Sequence, residues 1–190
     1  MKGCRPLSEN EKTQVINAIT GRHQLRDKLI VIFGIYAGFR ISEILSLKVR
    51  DVFQNGIVPN HVTVQRRNVK GKREGRTVVL HQSIKDAIVE YLLANLHLSP
   101  DSELFINQAG TKAISRQQAW NIVEAAFAAC ELTGTLGTHS LRKTFALNAY
   151  QKSGHCLLKT KKALGHTDIR TTEKYLSFAE SEVDELILSA

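Results

Sequence analysis

Cysteine, proline and long apolar runs are all scarce in this sequence. Its 190 residues include three cysteines and three prolines. The cysteines are far apart and odd in number, so they predict neither a disulfide framework nor a zinc site, and they favour a reducing, intracellular setting. The longest apolar stretch, Leu29–Phe39, is too short to cross a bilayer, and the first residues contain no apolar signal region. These absences predict a cytoplasmic protein with no membrane partner.

Acidic residues are outnumbered by basic ones. Lys and Arg total 26 against 18 Asp and Glu, which gives a formal net charge of +8 and a pI near 9.5. This excess favours a polyanionic partner, of which nucleic acid is the commonest, and the alternative is a basic protein with no such partner. The apolar fraction of 43% is typical of a globular chain that buries a core without disulfides or metals.

The pattern of apolar residues predicts one mainly helical α+β domain over residues 1–190. A capping box at Ser8 and Glu11 predicts a first helix to about Thr20, and a second box opens at Ser115 with Gln118. Two alternating segments, 61–67 and 76–80, predict a β-hairpin with a basic tip. Ser42 is expected to open a short helical stretch. Further helices are expected at 23–37, 83–96, 115–130, 140–152, 156–164, 169–176 and 180–188.

Cationic and titratable side chains are concentrated in three short stretches. Arg40 follows the helix break at Gly38, and His139 and Arg142 share one face of a helix because they are three residues apart. Gly165 is expected to end a helix and to let His166 point into a cleft. Tyr175 follows nine residues later, and Lys70 or Lys72 on the hairpin tip adds another cation.

This set of side chains suggests chemistry on a phosphate. Arginine binds phosphate oxygens bidentately and stays charged, so two arginines can neutralise a pentacoordinate phosphorus. Histidine moves protons near neutral pH, and tyrosine becomes a nucleophile when its phenolate is stabilised. Lysine can protonate a departing alkoxide. Because arginines supply the positive charge, this chemistry requires no metal and no cofactor.

Each residue also has an ordinary structural explanation. Arg40 could form a salt bridge with Glu43, and His139 could cap a helix. Tyr175 could be a core aromatic, and the basic hairpin tip could be a solvated turn. For each residue taken alone the structural explanation is favoured, but the order and spacing of the whole set favour a functional site.

The sequence resembles the tyrosine recombinase (phage integrase) family over nearly its whole length. The matching stretches read Gly-Phe-Arg-Ile-Ser-Glu-Ile at 38–44, His-Ser-Leu-Arg-Lys-Thr-Phe-Ala at 139–146, and Leu-Gly-His-Thr-Asp-Ile-Arg-Thr-Thr-Glu-Lys-Tyr at 164–175. The order of these residues is that of the family: Arg, Lys, His-x-x-Arg, His, Tyr.

The resemblance implies a role for each matching residue. Arg40 and Arg142 would clamp the scissile phosphate, and His166 would donate a hydrogen bond to one of its oxygens. Tyr175 would attack the phosphorus to give a 3′-phosphotyrosyl link and a free 5′-hydroxyl. His139 would act in proton transfer.

Two further roles concern acid groups. Lys70 would be the general acid that protonates the leaving 5′-hydroxyl, with Lys72 as the alternative because the hairpin is about one residue longer than the family pattern. Glu43 fits an accessory acid that orients its neighbours. No ATP or metal is implied, because bond energy is kept in the covalent intermediate.

The resemblance also implies partners. We expect the chain to bind double-stranded DNA through Arg73, Arg116 and Lys143, and to act as a homo-oligomer on DNA, a tetramer in the synapse. No small-molecule substrate is expected. The apolar segment at 178–188 either docks on a neighbouring copy or packs on its own domain. Relatives usually carry an N-terminal core-binding domain. We expect none in this sequence, which is either a fragment of a longer recombinase or a short recombinase that works without that domain.

Two other functions are compatible with the same residues. The first is a DNA-binding relative without catalysis, and the second is a type IB topoisomerase, which shares the chemistry. A complete catalytic set argues against the first, and the short chain with its Leu-Gly-His-Thr-Asp stretch argues against the second.

Overall fold

A computed structural model of the protein describes residues 3–65, 75–110 and 112–176. Over these ranges the chain forms nine helices and one two-stranded sheet, which confirms a mainly helical α+β fold. In chain order these elements are α1 (Glu9–Ala18), α2 (Gln24–Ala37), α3 (Ile41–Ile44), α4 (Val49–Val52), β1 (His61–Gln65), β2 (Gly75–Val79), α5 (Gln82–Leu93), α6 (Arg116–Ala129), α7 (Thr138–Lys152), α8 (Leu157–Leu164) and α9 (Ile169–Leu176).

Helix α2 is the centre of the fold. It contacts α1, α3, α5, α6 and α7, and it is apolar on nearly every face, as expected for a helix surrounded by others. Its Phe33 is fully buried and stacks on Phe39 at a ring-centroid distance of 5.7 Å. A Cβ added to Gly34 would lie 2.7 Å from the Leu141 Cβ. This glycine therefore lets α7 approach α2 closely, and it sets the neighbouring Arg142 against the end of α2.

The hairpin was predicted and is present. Strands β1 and β2 pair antiparallel from His61↔Val79 to Gln65↔Gly75. Val62 and Val64 point into the core, as their alternation predicts. Arg76 lies on the same inner face of the sheet, opposite Val64, and is 8% exposed. The tip of the hairpin lies outside the described residues.

Most helix ends agree with the local sequence signals. The two capping boxes, at Ser8 and at Ser115, are both formed. Helix α9 matches its predicted bounds, and α7 begins at Thr138, two residues before the predicted start. The helix expected at 180–188 lies outside the described residues.

Two local predictions are corrected, and one helix was not predicted. Helix α3 begins at Ile41 rather than at Ser42, because the Glu43 carboxylate accepts a hydrogen bond from the Arg40 backbone N–H at 2.8 Å and so makes Arg40 the capping residue. Helix α5 begins at Gln82 because the His81 side chain caps it, and it ends at Leu93 rather than near Leu96. Helix α4 was not anticipated.

Glycine ends two helices that lead into the candidate site. Gly38 closes α2 with φ of 60°, and Gly165 closes α8 with φ of 62°. The ending at Gly165 was predicted. Both residues adopt the left-handed conformation that favours glycine at the end of a helix. The chain therefore turns sharply after each helix, and Arg40 and His166 follow directly.

We expect Gly38→Ala to destabilise the fold by about 2–4 kcal/mol, because a left-handed alanine is strained and its Cβ overlaps a neighbour. That Cβ would lie 2.3 Å from the Phe145 Cδ1. Urea unfolding measures the loss. Gly154→Ala is the matched control, since Gly154 has a φ of 69° with nothing within 4 Å of an added Cβ, and it should lose only about 1 kcal/mol. Equal losses in the two variants would show that the contact with Phe145 does not matter.

Within the described ranges, no helix is both long enough and apolar enough to cross a membrane. Cys4, Cys130 and Cys156 are not joined to one another in the structure.

Candidate active site

An open pocket of about 230 Å³ lies where α3, α6 and α7 meet. It brings together the first two of the three stretches singled out in the sequence. Its lining residues are Phe39, Arg40, Ile41, Ser42, Arg116, Thr138, His139 and Arg142. Three arginines and a histidine in one small pocket form a site suited to an anion.

Glu43 lies outside the pocket lining and pairs with three arginines. Its carboxylate accepts a hydrogen bond from the Arg40 side chain at 2.9 Å, and it lies 3.9 Å from a nitrogen of both Arg76 and Arg142. Burial of Glu43 opposes its ionisation, but the Arg40 backbone N–H and the charges of Arg142 and Arg40 outweigh burial and lower its pKa. Glu43 is therefore ionised at neutral pH. The structural alternative for Arg40, a salt bridge with Glu43, is present, and Arg40 also lines the pocket.

Arg142 is the most enclosed charge of the site, at 1% exposure. Its guanidinium donates to the carbonyl oxygen of Gly38 and, at 2.8 Å, to that of Leu164. Burial and the nearby Arg40 charge lower the pKa of Arg142 to about 10, while Glu43 opposes this shift. The side chain therefore remains charged at neutral pH, held by carbonyls from two different helices.

His166 comes to the site from the end of α8, and it is buried. Its Nε2 lies 3.1 Å from an Arg142 nitrogen, and its Nδ1 lies 3.0 Å from the Thr172 hydroxyl. Because a guanidinium only donates, Nε2 must accept, so the proton of a neutral His166 is on Nδ1 and is donated to Thr172. His166 therefore adjoins Arg142, and it could donate from Nε2 to a phosphate in the other tautomer, in which Nδ1 accepts from the Thr172 hydroxyl.

Tyr175 lies on α9 against the same cluster. Its hydroxyl is 3.3 Å from the His139 Nδ1. Its ring packs edge-on against His166 at 5.3 Å and lies 5.9 Å from the Arg142 guanidinium carbon. Tyr175 is only partly buried, so its hydroxyl is at the rim of the cationic cluster rather than in the core.

His139 is placed to accept the proton of Tyr175. Burial, followed by the charges of Arg142, Arg40 and Lys143, lowers the pKa of His139. The imidazole is therefore neutral at physiological pH, and its Nδ1 can accept a hydrogen bond from the phenol. A neutral imidazole within reach of a hydroxyl is the geometry of a general base.

We expect the His139 imidazole of the DNA-free protein to titrate with a midpoint below the ordinary value of about 6.5. NMR titration of the folded protein measures that midpoint, and the same titration in denaturant is the control. Because the pKa is lower in the folded state, the folded protein favours the neutral imidazole more than the unfolded chain does. The resulting stabilisation of the fold is fully present above a pH of about 6.5 and is lost as the pH falls through the folded pKa. A folded midpoint at or above the denatured one would contradict this.

The remaining predicted residues divide into three groups. Lys70, Lys72 and Arg73 lie outside the described residues. Arg116, at the start of α6, lines the pocket. The structure does not bring Lys143 into the pocket. Its amine lies beside the N-terminal segment, 3.4 Å from a Cβ placed on Gly3.

Arg76 was missed as a candidate by sequence reasoning. It donates to the carbonyl oxygens of Ala37, at 3.3 Å, and Ala163, and it approaches Glu43. A signal was available, because Arg76 shares one face of β2 with Val78, and a charged residue on the inner face of a strand requires a buried partner.

Metal ligands do not cluster in the part of the chain that the structure describes. Across residues 3–65, 75–110 and 112–176 there is no group of three or more His, Cys, Asp or Glu side chains close enough together to hold an ion.

The chain is similar to known proteins in both sequence and structure. The family model described as the phage integrase family matches residues 5–182. The probable integrase/recombinase YoeC of Bacillus subtilis is 34% identical over 176 residues, which cover 93% of this chain and 91% of YoeC. The tyrosine recombinase XerH of Campylobacter jejuni is 29% identical over 191 residues, or 97% of this chain and 50% of XerH.

A solved structure is similar in fold. The crystal structure of XerH bound to its palindromic difH substrate, a post-cleavage complex, superposes with a TM-score of 0.75 at 25% identity. The match covers 98% of this chain and 53% of the XerH chain. This chain therefore spans nearly the whole of YoeC but about half the length of XerH.

Proposed function

This chain belongs to the phage integrase family, and we propose that it is a site-specific DNA recombinase that cuts and rejoins strands through Tyr175. The observation that carries the proposal is the contact of the Tyr175 hydroxyl with His139, 3.3 Å away, beside Arg142 and His166. A nucleophile, a neutral base and a phosphate clamp then occupy one site.

The reaction proceeds in two symmetrical steps. The Tyr175 oxygen attacks the scissile phosphorus, its proton passes to His139, and a 3′-phosphotyrosyl bond forms as the bond to the 5′-oxygen breaks. Lys70 or Lys72 supplies the proton that the departing 5′-oxygen takes up. The 5′-hydroxyl of a partner strand then attacks the phosphotyrosine, its proton returns to the lysine, and the released Tyr175 oxygen takes its proton back from His139. One ester bond replaces another at each step, so the reaction needs neither ATP nor a metal.

Arg40 and Arg142 are proposed to bind the non-bridging oxygens of the phosphate. Arg142 is fixed by two carbonyls and Arg40 by Glu43. Charges that are already oriented stabilise a transition state without a cost of reorganisation during the reaction. Glu43 acts by orienting these arginines, since it does not line the pocket.

The proposed partners are double-stranded DNA and further copies of the chain. The DNA-bound structure of XerH and the charge of +8 support DNA. Each copy has one Tyr175, and exchange between two duplexes requires four cleavages, so we propose that a tetramer forms in the synapse. The protein would act in the cytoplasm, where it meets DNA.

A suicide-substrate assay tests the proposed function. Nicked duplexes are prepared from a pool of DNA fragments, so that cleavage beside the nick releases a short piece and traps the enzyme on DNA. We expect an adduct that survives denaturant, with the DNA linked to Tyr175 and a free 5′-hydroxyl on the released piece. Sequencing the trapped DNA identifies the target site.

The other outcomes would each overturn the proposal. Tight binding without any adduct would indicate a DNA-binding relative that lacks catalysis. Adducts without site preference, together with relaxation of supercoiled plasmid, would indicate a topoisomerase. An adduct on another residue would remove Tyr175 from its role.

We expect Arg116→Gln to weaken DNA binding at every sequence tested and to reduce the slope of log Kd against log salt by about 1, because one phosphate contact is lost. Fluorescence anisotropy at several salt concentrations measures the slope. Arg22→Gln, at an exposed residue outside the pocket, is the matched control. A slope unchanged by Arg116→Gln would exclude a phosphate contact for this residue.

A further inference from the structure

Two buried arginines join the same two helix ends. Arg76 donates to the carbonyl oxygens of Ala37, on α2, and Ala163, on α8. Arg142 donates to the next carbonyl in each case, those of Gly38 and Leu164. The two side chains come from different elements, β2 and α7, so four parts of the chain meet at this point.

The chemistry of helix ends explains why arginine occupies both positions. The last carbonyls of a helix have no partner within it, and together they carry a partial negative charge. Here α2 and α8 present such carbonyls to the same buried space. A guanidinium is a rigid fork with five donors. In Arg76 the Nη2 group donates to both carbonyls while Nη1 lies 3.9 Å from the Glu43 carboxylate, and in Arg142 Nη1 donates to Gly38 and Nη2 to Leu164. The single ammonium of lysine cannot occupy both positions of this fork at once.

Site residues lie within two residues of the glycine that ends each helix. Arg40 lies two residues beyond Gly38, and His166 is the residue after Gly165. Arg76 also approaches Glu43, which holds Arg40, and its guanidinium carbon lies 5.6 Å from the centre of the Phe39 ring. A shift of either helix end would therefore move a phosphate-binding group.

We infer that Arg76 is a positioning residue that fixes the ends of α2 and α8 relative to each other, and thereby sets Arg40, Arg142 and His166 for phosphate binding. This inference rests on the proposed function. Arg76 does not line the pocket, so it acts through other residues rather than on the phosphate.

The variant Arg76→Lys tests the inference, because it keeps the charge and removes the fork. On a nicked duplex with an ordinary scissile phosphate, we expect adduct formation to slow by roughly tenfold to a hundredfold, the effect of losing a hydrogen bond to a charged group. Arg50→Lys is the matched control. Arg50, on α4, is an exposed arginine paired with Asp101, and this change should leave the rate unaltered.

A neutral scissile phosphate distinguishes positioning from general damage to the fold. In a methylphosphonate, a methyl group replaces one non-bridging oxygen and removes the negative charge that the arginines neutralise. If Arg76 acts through Arg40 and Arg142, the loss caused by Arg76→Lys should be several-fold smaller on the methylphosphonate. Equal losses on both substrates, or no loss on either, would overturn the inference.

Hydrogen exchange gives a readout that does not depend on activity. In Arg76→Lys, amides of residues 37–41 and 163–167 should exchange faster than in the parent, while those of α1 should be unchanged. Unaltered exchange at both helix ends would overturn the inference even if the recombinase reaction is confirmed. If the parent protein forms no adduct with any DNA, the proposed function fails, and exchange alone decides whether Arg76 joins these ends.

Discussion

Replacing Tyr175 by phenylalanine is expected to reduce covalent adduct formation by at least roughly 10³-fold, because it removes the oxygen proposed to attack the phosphorus. The change removes one oxygen and keeps the ring, so the packing of Tyr175 against His166 and Arg142 is preserved. The hydroxyl forms a hydrogen bond with His139 at a partly exposed position. The loss of folding stability should therefore be below about 1.5 kcal/mol. DNA affinity should stay within about threefold of the parent.

Tyr150→Phe is the matched control for this experiment. Tyr150 is also partly exposed, and its ring also packs edge-on against a histidine, His155, at 5.0 Å. The same atom is removed away from the pocket, so adduct formation should be unchanged. A Tyr175→Phe protein that still forms adducts would exclude Tyr175 as the nucleophile, and one that no longer binds DNA would assign the hydroxyl to binding instead.

Arg142→Lys is expected to combine a large loss of rate with a large loss of stability. Lysine keeps the charge but cannot reach both the Gly38 and Leu164 carbonyls, and a buried carbonyl left without a donor costs about 1–3 kcal/mol. With the weakened interaction with Glu43, the free energy of unfolding should fall by about 2–4 kcal/mol. Adduct formation should slow by about 10²–10³-fold, as when one oriented donor is removed from a transition state.

The two effects of Arg142→Lys are measured separately. Urea unfolding gives the stability, and single-turnover cleavage of a nicked duplex gives the rate, with circular dichroism at the assay temperature to verify that the variant is folded. Arg22→Lys, at an exposed position, should change neither quantity. A folded Arg142→Lys protein with the parental rate would mean that charge alone, without the fork, is sufficient at this position.

The local sequence predicted much of the secondary structure because its signals act over a few residues. Several features appear as predicted: the capping boxes at Ser8 and Ser115, and the helix end at Gly165. Val62 and Val64 also lie on one buried face of β1, as the alternating pattern predicts. The prediction that Ser42 opens α3 was wrong because the Glu43 carboxylate takes the backbone N–H of Arg40. A serine there is an equally good local signal, and only the site around Glu43 decides between them.

The candidate site was predicted as a set of residues but not as a geometry. The motif order named Arg40, His139, Arg142, His166 and Tyr175, and the fold brings all five together. Spacing could not show that the Tyr175 hydroxyl contacts His139, because these residues are 36 positions apart and on different helices. It also could not identify Arg76, whose role depends on two carbonyls that only the packing of α2 and α8 brings side by side.

By itself, the sequence determined the family, the mainly helical fold and the residues that we propose bind a phosphate, because caps, periodicity and motif order are properties of neighbouring residues. Tertiary structure alone decided which of those residues contact one another and which of them are charged. Packing of α7 on Gly34 places Arg142 at the end of α2, and burial among cations keeps His139 neutral beside Tyr175. Such effects depend on distances between residues far apart in the chain, and no local pattern encodes them.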